Sequence, residues 1–431
     1  MIPHFVTALT GPVSDLEQRL LDAMPAVERW FRLEWMEHTP PFYSAVSVRN
    51  AGFKMAAIDT DLYPDGWHLL TPGMQPLAVQ AAMAAIEKIC PEAHNLLVIP
   101  KNGHHSPAYL SNLARLQSIF KMGGLRVRLG SIDPAIKQST TYHLPDGQTV
   151  TLEPVVRTKR RLGLPDFDPC TLLLNNDLHA GVPGILEDLR EQYLLPPLHA
   201  SWPVRRKNRH SKCYEELAKR LAKLLGIDPW LIYPMYERRS PGGLTEPQGL
   251  ECLSAQVESM LSRLRRKYKE YNLTDSPFVM VKSSHNSFGA GCTTVRNESD
   301  LSALIAKINT LNQQSDPPLM SNDFLVQEGL LSCERIDQTV AEPVVCMLDR
   351  YVVGGFYRTH PGRGTDESLH AEGSVYTPLV FDHSTSLPQH GARPAGAAPN
   401  RFYSYGVVAR LAMLAAGYEL EATDPDAYAG G

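Results

Sequence analysis

Residues 277–295 read PFVMVKSSHNSFGAGCTTV. An apolar run ends in Lys282, and a loop of small residues with two glycines follows. The run predicts a buried strand, because it leaves no polar face. A lysine at a strand end is a point charge delivered to a fixed place. Glycines beside it let the backbone approach phosphate oxygens closely, and serine hydroxyls add donors. The stretch therefore reads as a cover for something anionic, with Lys282, Ser283, Ser284, Gly289 and Gly291 as candidate nucleotide contacts. A surface hairpin with a snorkelling lysine has the same local pattern, and this stretch alone does not choose between them. Two commoner phosphate loops are excluded. No GxxxxGK followed by Ser or Thr occurs, and Gly289-Ala290-Gly291 lacks the third glycine of the dinucleotide fingerprint.

Composition narrows the class. The chain has 431 residues, 43% hydrophobic and 20% charged, which is globular and too long for one core, so two or three subdomains are expected. A formal net charge of −4 gives no basic footprint for nucleic acid or an anionic membrane. No apolar stretch approaches the roughly 20 residues of a spanning helix. The start, MIPHFVTALTGPVSDLEQ, lacks the basic opening and apolar core of a signal peptide. Seven cysteines, none in a CxxC or CxxH pair, predict free thiols and a cytoplasmic location.

Working outward from Lys282, the N-terminal half alternates strand-like and helical runs. Ser14 and Glu17 form a capping box that opens a first helix. Pro76 to Cys90 is helical, NLLVIP is a strand, and Ser106-Pro107 starts a helix that stops at Gly123-Gly124. LRVRLGSI is a strand, YHLPDGQTVTL a hairpin and TLLLNND a buried strand, with a helix expected from Leu186 to Tyr193. This order predicts an α/β fold with parallel pairing. After LPPLHASWPVRRKNRH, a helix capped by Ser211 runs to Leu225 and a long helix follows from Leu250. Beyond the quoted stretch come a helix, a strand DFLVQEG, and paired strands EPVVCML and YVVGGFYR, giving α+β character to the C-terminal half. STSLPQHGARPAGAAPN reads as a surface loop, and SYGVVARLAMLAAGYEL as a closing apolar helix packed on a sheet.

The strand Phe324 to Gly329 ends in polar acceptors that suit an adenine slot, with Gln327 beside the base and Glu328 reaching the ribose. Arg358 ends the strand VVGGFYR, where it can stabilise charge on a transferring phosphoryl group; a surface ion pair is the plainer role for any single arginine. This order resembles the ATP-grasp superfamily. The likeness implies a C-terminal ATP-grasp-like domain at 201–431, after an N-terminal α/β domain at 1–200 that holds substrate and metal residues. SKCYEELAKRLAKLLGIDPWLIYP resembles the segment that opens the family's nucleotide site, making Lys212 the first nucleotide lysine and Lys282 the second. GRGTDESLHAEG resembles the second glycine loop of glutathione synthetases.

ATP-grasp ligases usually carry magnesium ligands in a late acid-x-Asn segment, and none follows the last helix here. An earlier segment, MAAIDTDLYPDG, offers Asp59 and Asp61, whose carboxylates share one face if it is a strand. Paired hard oxygens suit magnesium; a turn before Pro64-Asp65-Gly66 is the alternative. Metal ligands that precede the lysines resemble a circularly permuted glutathione synthetase. Over nearly its full length the chain is similar to the proteobacterial class of glutamate–cysteine ligase, through RNAGFK, DTDLYP, LLLNNDLHAG, PPLHASWPVRRK, GIDPWLIYP, VQEGL, VVGGFYRTH and NRFYSYGVVARLA. That resemblance implies ATP and magnesium as cofactors, glutamate and cysteine as substrates, and an acyl phosphate steadied by Lys282 and Arg358. Arg49, Asn50, Asn175, Asn176, Asp177 and Arg205 are candidate glutamate contacts, each equally suited to a cap, turn or ion pair. A ligase for another amino-acid pair and a non-catalytic nucleotide-binding regulator remain alternatives, and the oligomeric state is open.

Overall fold

The computed structural model describes residues 12–202, 204–237, 247–283, 292–314, 324–379 and 401–425. Within these the fold is α/β, built on three main sheets and a two-stranded ribbon, Val156–Thr158 with Arg161–Gly163. The first is parallel and comes from the N-terminal half. Asn95–Pro100 lies between Arg126–Ser131 and Thr171–Asn175, all parallel. Thr149–Pro154 and Tyr193–Leu195 extend the parallel set, and Thr140–His143 closes one edge antiparallel. The expected helix from Leu186 to Tyr193 does not form. Gly184–Leu186 is a single 3-10 turn, and Tyr193 begins a strand. Pro196 and Pro197 follow at once, and the bonding edge beside Thr171–Asn175 captures the segment instead.

The second sheet is antiparallel and central. Thr339–Leu348 pairs with Tyr43–Asn50 on one side and Tyr351–Thr359 on the other; Met55–Asp61, Val375–Pro378 and the short Arg335–Ile336 complete it. A division of the chain at residue 200 therefore does not follow the sheets. The central sheet interleaves strands from both halves, because Tyr43–Asn50 and Thr339–Leu348 each bury both faces. Along Thr339–Leu348, Val344, Cys346 and Leu348 face one core while Val345 and Met347 face another, the period of two that a strand between two layers requires.

The first core is filled by helices Gln75–Ile89 and Pro107–Met122, which fit between the central and parallel sheets. The second is filled by Lys207–Leu225 and Arg401–Glu421 under the central sheet, as expected of the closing apolar helix. Two expected caps lie inside their helices instead: the first helix begins at Pro12, and Lys207–Leu225 begins four residues before Ser211. The third sheet has Val279–Ser283 between Cys292–Val295 and Phe324–Glu328, backed by helices Pro247–Glu270 and Glu298–Gln314. The strand expected to end at Lys282 is thus the middle of this sheet. The Pro/Gly/Ala stretch at 384–400 lies outside the described residues.

Candidate active site

Asp59 and Asp61 end the strand Met55–Asp61 at the edge of the central sheet. Ser47 pairs with Asp59 but Val48 pairs with Ala57, so Ile58 is an extra residue, a bulge. Bulges re-aim side chains at the end of a ladder. The Ile58 carbonyl accepts a hydrogen bond of 2.8 Å from Lys282 Nζ. The third sheet and the central sheet are thereby tied together beside the two carboxylates.

Two pockets meet there. One lies between the third sheet and the start of helix Lys207–Leu225, and is lined by Lys282, Leu325, Gln327, Arg205, Lys207 and His210 among others. The other lies between the central sheet and the ends of the parallel strands, and is lined by Arg358, His370, Tyr376, Lys101, Asp65 and Asp177 among others. Asp59, Asp61, Tyr63 and Trp202 line both.

The electrostatics at this junction are uneven. Burial raises the pKa of Asp59, yet the charges of Lys207, Lys282 and Arg358 hold it below the ordinary carboxylate value. Burial pushes Asp61 up to about 6, helped by Asp65 and Asp59 and opposed by Lys101. One strand thus carries two carboxylates two residues apart, one held below the ordinary value and the other raised above it. Arg358 is buried, with Nη1 donating to Glu342 Oε1 at 2.6 Å and to Ser47 Oγ at 3.1 Å. Its Nε has no hydrogen-bond partner among the described residues. Arg205 donates to the Thr60 carbonyl and to Glu419 of the closing helix, which lies 3.4 Å from His210 Nδ1 as well. His210 Nε2 sits 3.1 Å from Thr60 Oγ1.

Asp59, Asp61, Lys282, Arg205, Gln327, Arg358 and Asp177 are therefore brought to the two pockets. Other expected residues are placed differently. Lys212 is exposed on its helix, away from both pockets, and Lys207 takes the position facing Asp59. Five residues along a helix is a turn of about 140° beyond one revolution, so the two lysines cannot share a face. Glu328 does not reach toward a ribose. Its carboxylate is buried against Lys54 Nζ at 3.0 Å, Trp230 Nε1 and the Met235 amide. The cause is strand alternation: Gln327 faces the pocket, so its neighbour must face the core.

Arg49 is likewise consumed inside the protein. It pairs with Glu342 at 3.0 Å and donates to the carbonyls of Leu330, Thr365 and Glu367. It ties the GRGTDESLHAEG segment to the central sheet. Asn50 bonds Glu334 at 2.9 Å and caps the turn at Gly52. Asn175 bonds the Pro64 carbonyl and Tyr109, and Asn176 bonds the Pro100 carbonyl and the Leu178 amide. All four are frame residues, because a buried amide or guanidinium must satisfy its donors locally. Ser283 closes the lysine strand opposite Phe324. Ser284, Gly289 and Gly291 lie outside the described residues.

Lys207, Tyr63, Lys101 and His370 were not legible as site residues. Lys207 sat in the segment LPPLHASWPVRRKNRH, where only Arg205 was singled out, and Lys101 followed a strand with no motif around it. The usable signal for Lys101 was its place after a parallel strand, the end where ligands gather in α/β sheets. Tyr63 lay within the quoted DTDLYP segment. His370 lay in the glycine loop, whose contact with the central sheet no local pattern reveals.

Comparison with known proteins gives the family. Residues 17–420 match the glutamate–cysteine ligase family. A solved structure from Methylobacillus flagellatus KT, described as a candidate gamma-glutamylcysteine synthetase, is 45% identical with a TM-score of 0.89, covering 98% of this chain and 100% of its own. A D-alanyl-alanine synthetase A from Vibrio cholerae shows 10% identity and a TM-score of 0.31 over 74% of this chain and 81% of its own, too slight to carry any argument. No curated protein matches. With nearly its whole length matched, the chain belongs to the glutamate–cysteine ligase family, whose reaction joins glutamate to cysteine.

Proposed function

We propose that the enzyme activates the γ-carboxylate of L-glutamate with ATP and joins it to the amine of L-cysteine inside the two adjoining pockets. The observation that carries this reading is Asp59, an ionised carboxylate at the junction of the pockets, with Lys207 and Lys282 acting on it from one side and Arg358 from the other. The pocket between the third and central sheets suits the nucleotide. Lys207 and Lys282 supply charge for the phosphates, and the first turn of helix Lys207–Leu225, whose N-cap residue makes no side-chain capping bond, presents amides to an anion. Lys282 on one sheet facing Asp59 on another is an ATP-grasp-like arrangement. Carboxylates encoded before the lysines fit its circularly permuted form.

Magnesium would be held by Asp59 and Asp61. Among the described residues no group of three or more His, Cys, Asp or Glu forms a metal cage. A two-carboxylate site fits an ion that keeps water and phosphate oxygens as its remaining ligands. Bound there, the ion would neutralise phosphate charge.

A carboxylate is a poor electrophile, so a γ-carboxylate oxygen of glutamate first attacks the terminal phosphorus of ATP. The bond to the β-phosphate oxygen breaks, leaving ADP and γ-glutamyl phosphate. The cysteine nitrogen then attacks the acyl carbon, inorganic phosphate leaves, and the nitrogen loses a proton. The γ-carboxylate and the triphosphate are both anionic before the first attack, so the protein's task is positioning and charge neutralisation. Arg358, held by Glu342 and with no partner for its Nε among the described residues, stands beside Asp59 to steady the acyl phosphate. Tyr63, whose buried hydroxyl likewise has no partner among the described residues, stands where the pockets join.

We place the enzyme in a reducing cytoplasm, where its seven cysteines, none joined in a disulfide, would stay as thiols; among the described residues no helix is long and apolar enough to cross a membrane. The test is ADP release by the purified protein with glutamate, cysteine, both, and other amino-acid pairs. Turnover is expected only with glutamate plus cysteine and only with magnesium, falling at least about 100-fold in Asp59→Asn. Faster turnover of a different pair would refute the substrate assignment, and an active Asp59→Asn variant would refute the metal site.

A further inference from the structure

The second pocket has two ends, and the reaction accounts for only one. Asp59 and Arg358 stand at the reacting end. At the other, Lys101 follows the parallel strand Asn95–Pro100, and Asp177 follows its neighbour Thr171–Asn175. The chain leaves Asn95–Pro100 for Arg126–Ser131 on one side, and Thr171–Asn175 joins later on the other. Such a switch in direction opens a crevice at the strand ends, the usual ligand site in a parallel sheet. Tyr109 spans it: its hydroxyl accepts the Lys101 amide at 2.8 Å and donates to the Asn175 carbonyl at 3.1 Å.

The groups in that crevice carry both signs. Lys101 Nζ lies 2.7 Å from Asp65 Oδ2, with its side chain only 11% exposed. Asp177 lines the pocket, and its Oδ1 is engaged by the amide and ring of His179, at 3.2 and 3.1 Å. The lining holds four carboxylates, Asp59, Asp61, Asp65 and Asp177, against two permanent cations, Lys101 and Arg358. A divalent ion between Asp59 and Asp61 balances the reacting end. The far end still favours a ligand that brings its own positive charge along with a negative one.

An α-amino-acid head group is that ligand. The cysteine amine reacts, so its α-carbon must lie at the reacting end. In a γ-linkage the head group remote from the new bond is that of glutamate. We infer that Lys101 and Asp177 read the α-carboxylate and the α-ammonium of glutamate, and so select it over shorter-headed acids. Asp65 is the positioning residue that holds Lys101 toward the pocket. This inference rests on the ligase reading above and extends it to the choice of acyl donor.

Two glutamate analogues separate the head-group charges: 4-aminobutyrate lacks the α-carboxylate, and glutarate lacks the α-amine. With cysteine and ATP, the wild type should favour glutamate over each by about 100-fold or more in kcat/KM. Lys101→Met should lower kcat/KM for glutamate about 100-fold, through KM, while 4-aminobutyrate changes less than threefold. Asp177→Asn should do the same to glutamate while sparing glutarate. The spared analogue shows that the variant is folded. Equal losses on glutamate and its analogue, or a loss carried by kcat alone, would overturn the inference. Should both variants prove insoluble, the wild-type profile still decides, because equal use of all three acids means that no head group is read. Absence of ADP release with glutamate plus cysteine in the wild type would sink the ligase reading itself, and this inference with it.

Discussion

Tyr63 shows how a single side chain can be costly to the fold and useful to the site. Its ring is buried between the two pockets, its hydroxyl has no hydrogen-bond partner among the described residues, and burial raises its pKa well above the tyrosine value. An unpaired buried hydroxyl costs about 1–3 kcal/mol, so Tyr63→Phe should leave the thermal midpoint unchanged or raise it. If the hydroxyl donates to the reacting oxygens, kcat should fall roughly tenfold or more. Stopped-flow ADP release and a melting curve on the same variant check both halves, and a variant as active as the wild type leaves the hydroxyl without a role. The lysines make a second test at this scale. Lys207→Ala should raise KM for ATP about tenfold or more, whereas Lys212→Ala, on the exposed face, should change it less than twofold. A helix hides its facing from a motif search. The resemblance points to Lys212, which the structure leaves exposed while Lys207 lines the pocket, because facing is set by which residues the central sheet buries: Tyr214, Leu217, Ala218 and Leu221. Asp59 and Asp61 were legible because alternation on a strand needs no tertiary knowledge. Glu328 and Arg49 were misplaced for the opposite reason, since their partners Lys54 and Glu342 lie 274 and 293 residues away along the chain.

Among the elements, helix Arg401–Glu421 has the most at stake. Its Ala-rich stretch, Ala409 to Ala416, is buried and lies close under the central sheet. Small side chains are needed for that approach, and they made the helix legible as apolar while hiding which face meets what. One residue further, Gly417 comes so near the turn before Tyr43–Asn50 that a Cβ would sit 2.8 Å from the Thr39 carbonyl oxygen. In a free helix Gly→Ala would stabilise by about 1 kcal/mol. Here the backbone oxygen cannot rotate away, and overpacking costs of about 1–3 kcal/mol should win. Gly417→Ala is therefore expected to lower the urea midpoint, and a raised midpoint would show that the approach is looser than described. The same helix ends by placing Glu419 against Arg205 and His210, 2.9 and 3.4 Å away. A strained Gly417→Ala helix should accordingly raise KM for ATP as well as unfold earlier. The hairpin, the parallel strands and the long helices could be read from local periodicity. The capture of Tyr193–Leu195 as a strand could not, because it depends on an open sheet edge that exists only after folding.

At the scale of the molecule, interleaving strands from both halves leaves charged groups sealed where the layers meet, and these set the response to acid. Burial lowers His68, His210 and His370, the last to about 4, all below the ordinary value of 6.5. Each stays neutral in the folded protein while the unfolded chain takes up a proton, so its contribution is lost as pH falls through 6.5 toward the folded value. Burial raises Glu342 and Glu419, but Arg49 and Arg358 in one case and Arg205 in the other more than offset it, leaving both below the ordinary 4.5. Their contribution is complete above 4.5 and is lost below it, as the folded pKa is passed. Asp61 acts in reverse: raised to about 6, it takes a proton before the unfolded chain does and gains stability as pH falls from there toward its ordinary 3.8. Three histidines outweigh one aspartate in the shared window. The urea midpoint of the ligand-free protein should therefore decline from about pH 6.5 and steepen below about 4.5. Replacing Glu342 by Gln removes the carboxylate between two buried guanidiniums, which costs about 3–5 kcal/mol at neutral pH. That variant should also lose part of the steep limb, since the group that titrates there is gone. A midpoint flat down to pH 4 in the wild type would mean that these groups are solvated rather than sealed, and the layered interior that brings Asp59 to Lys282 would be wrong with them.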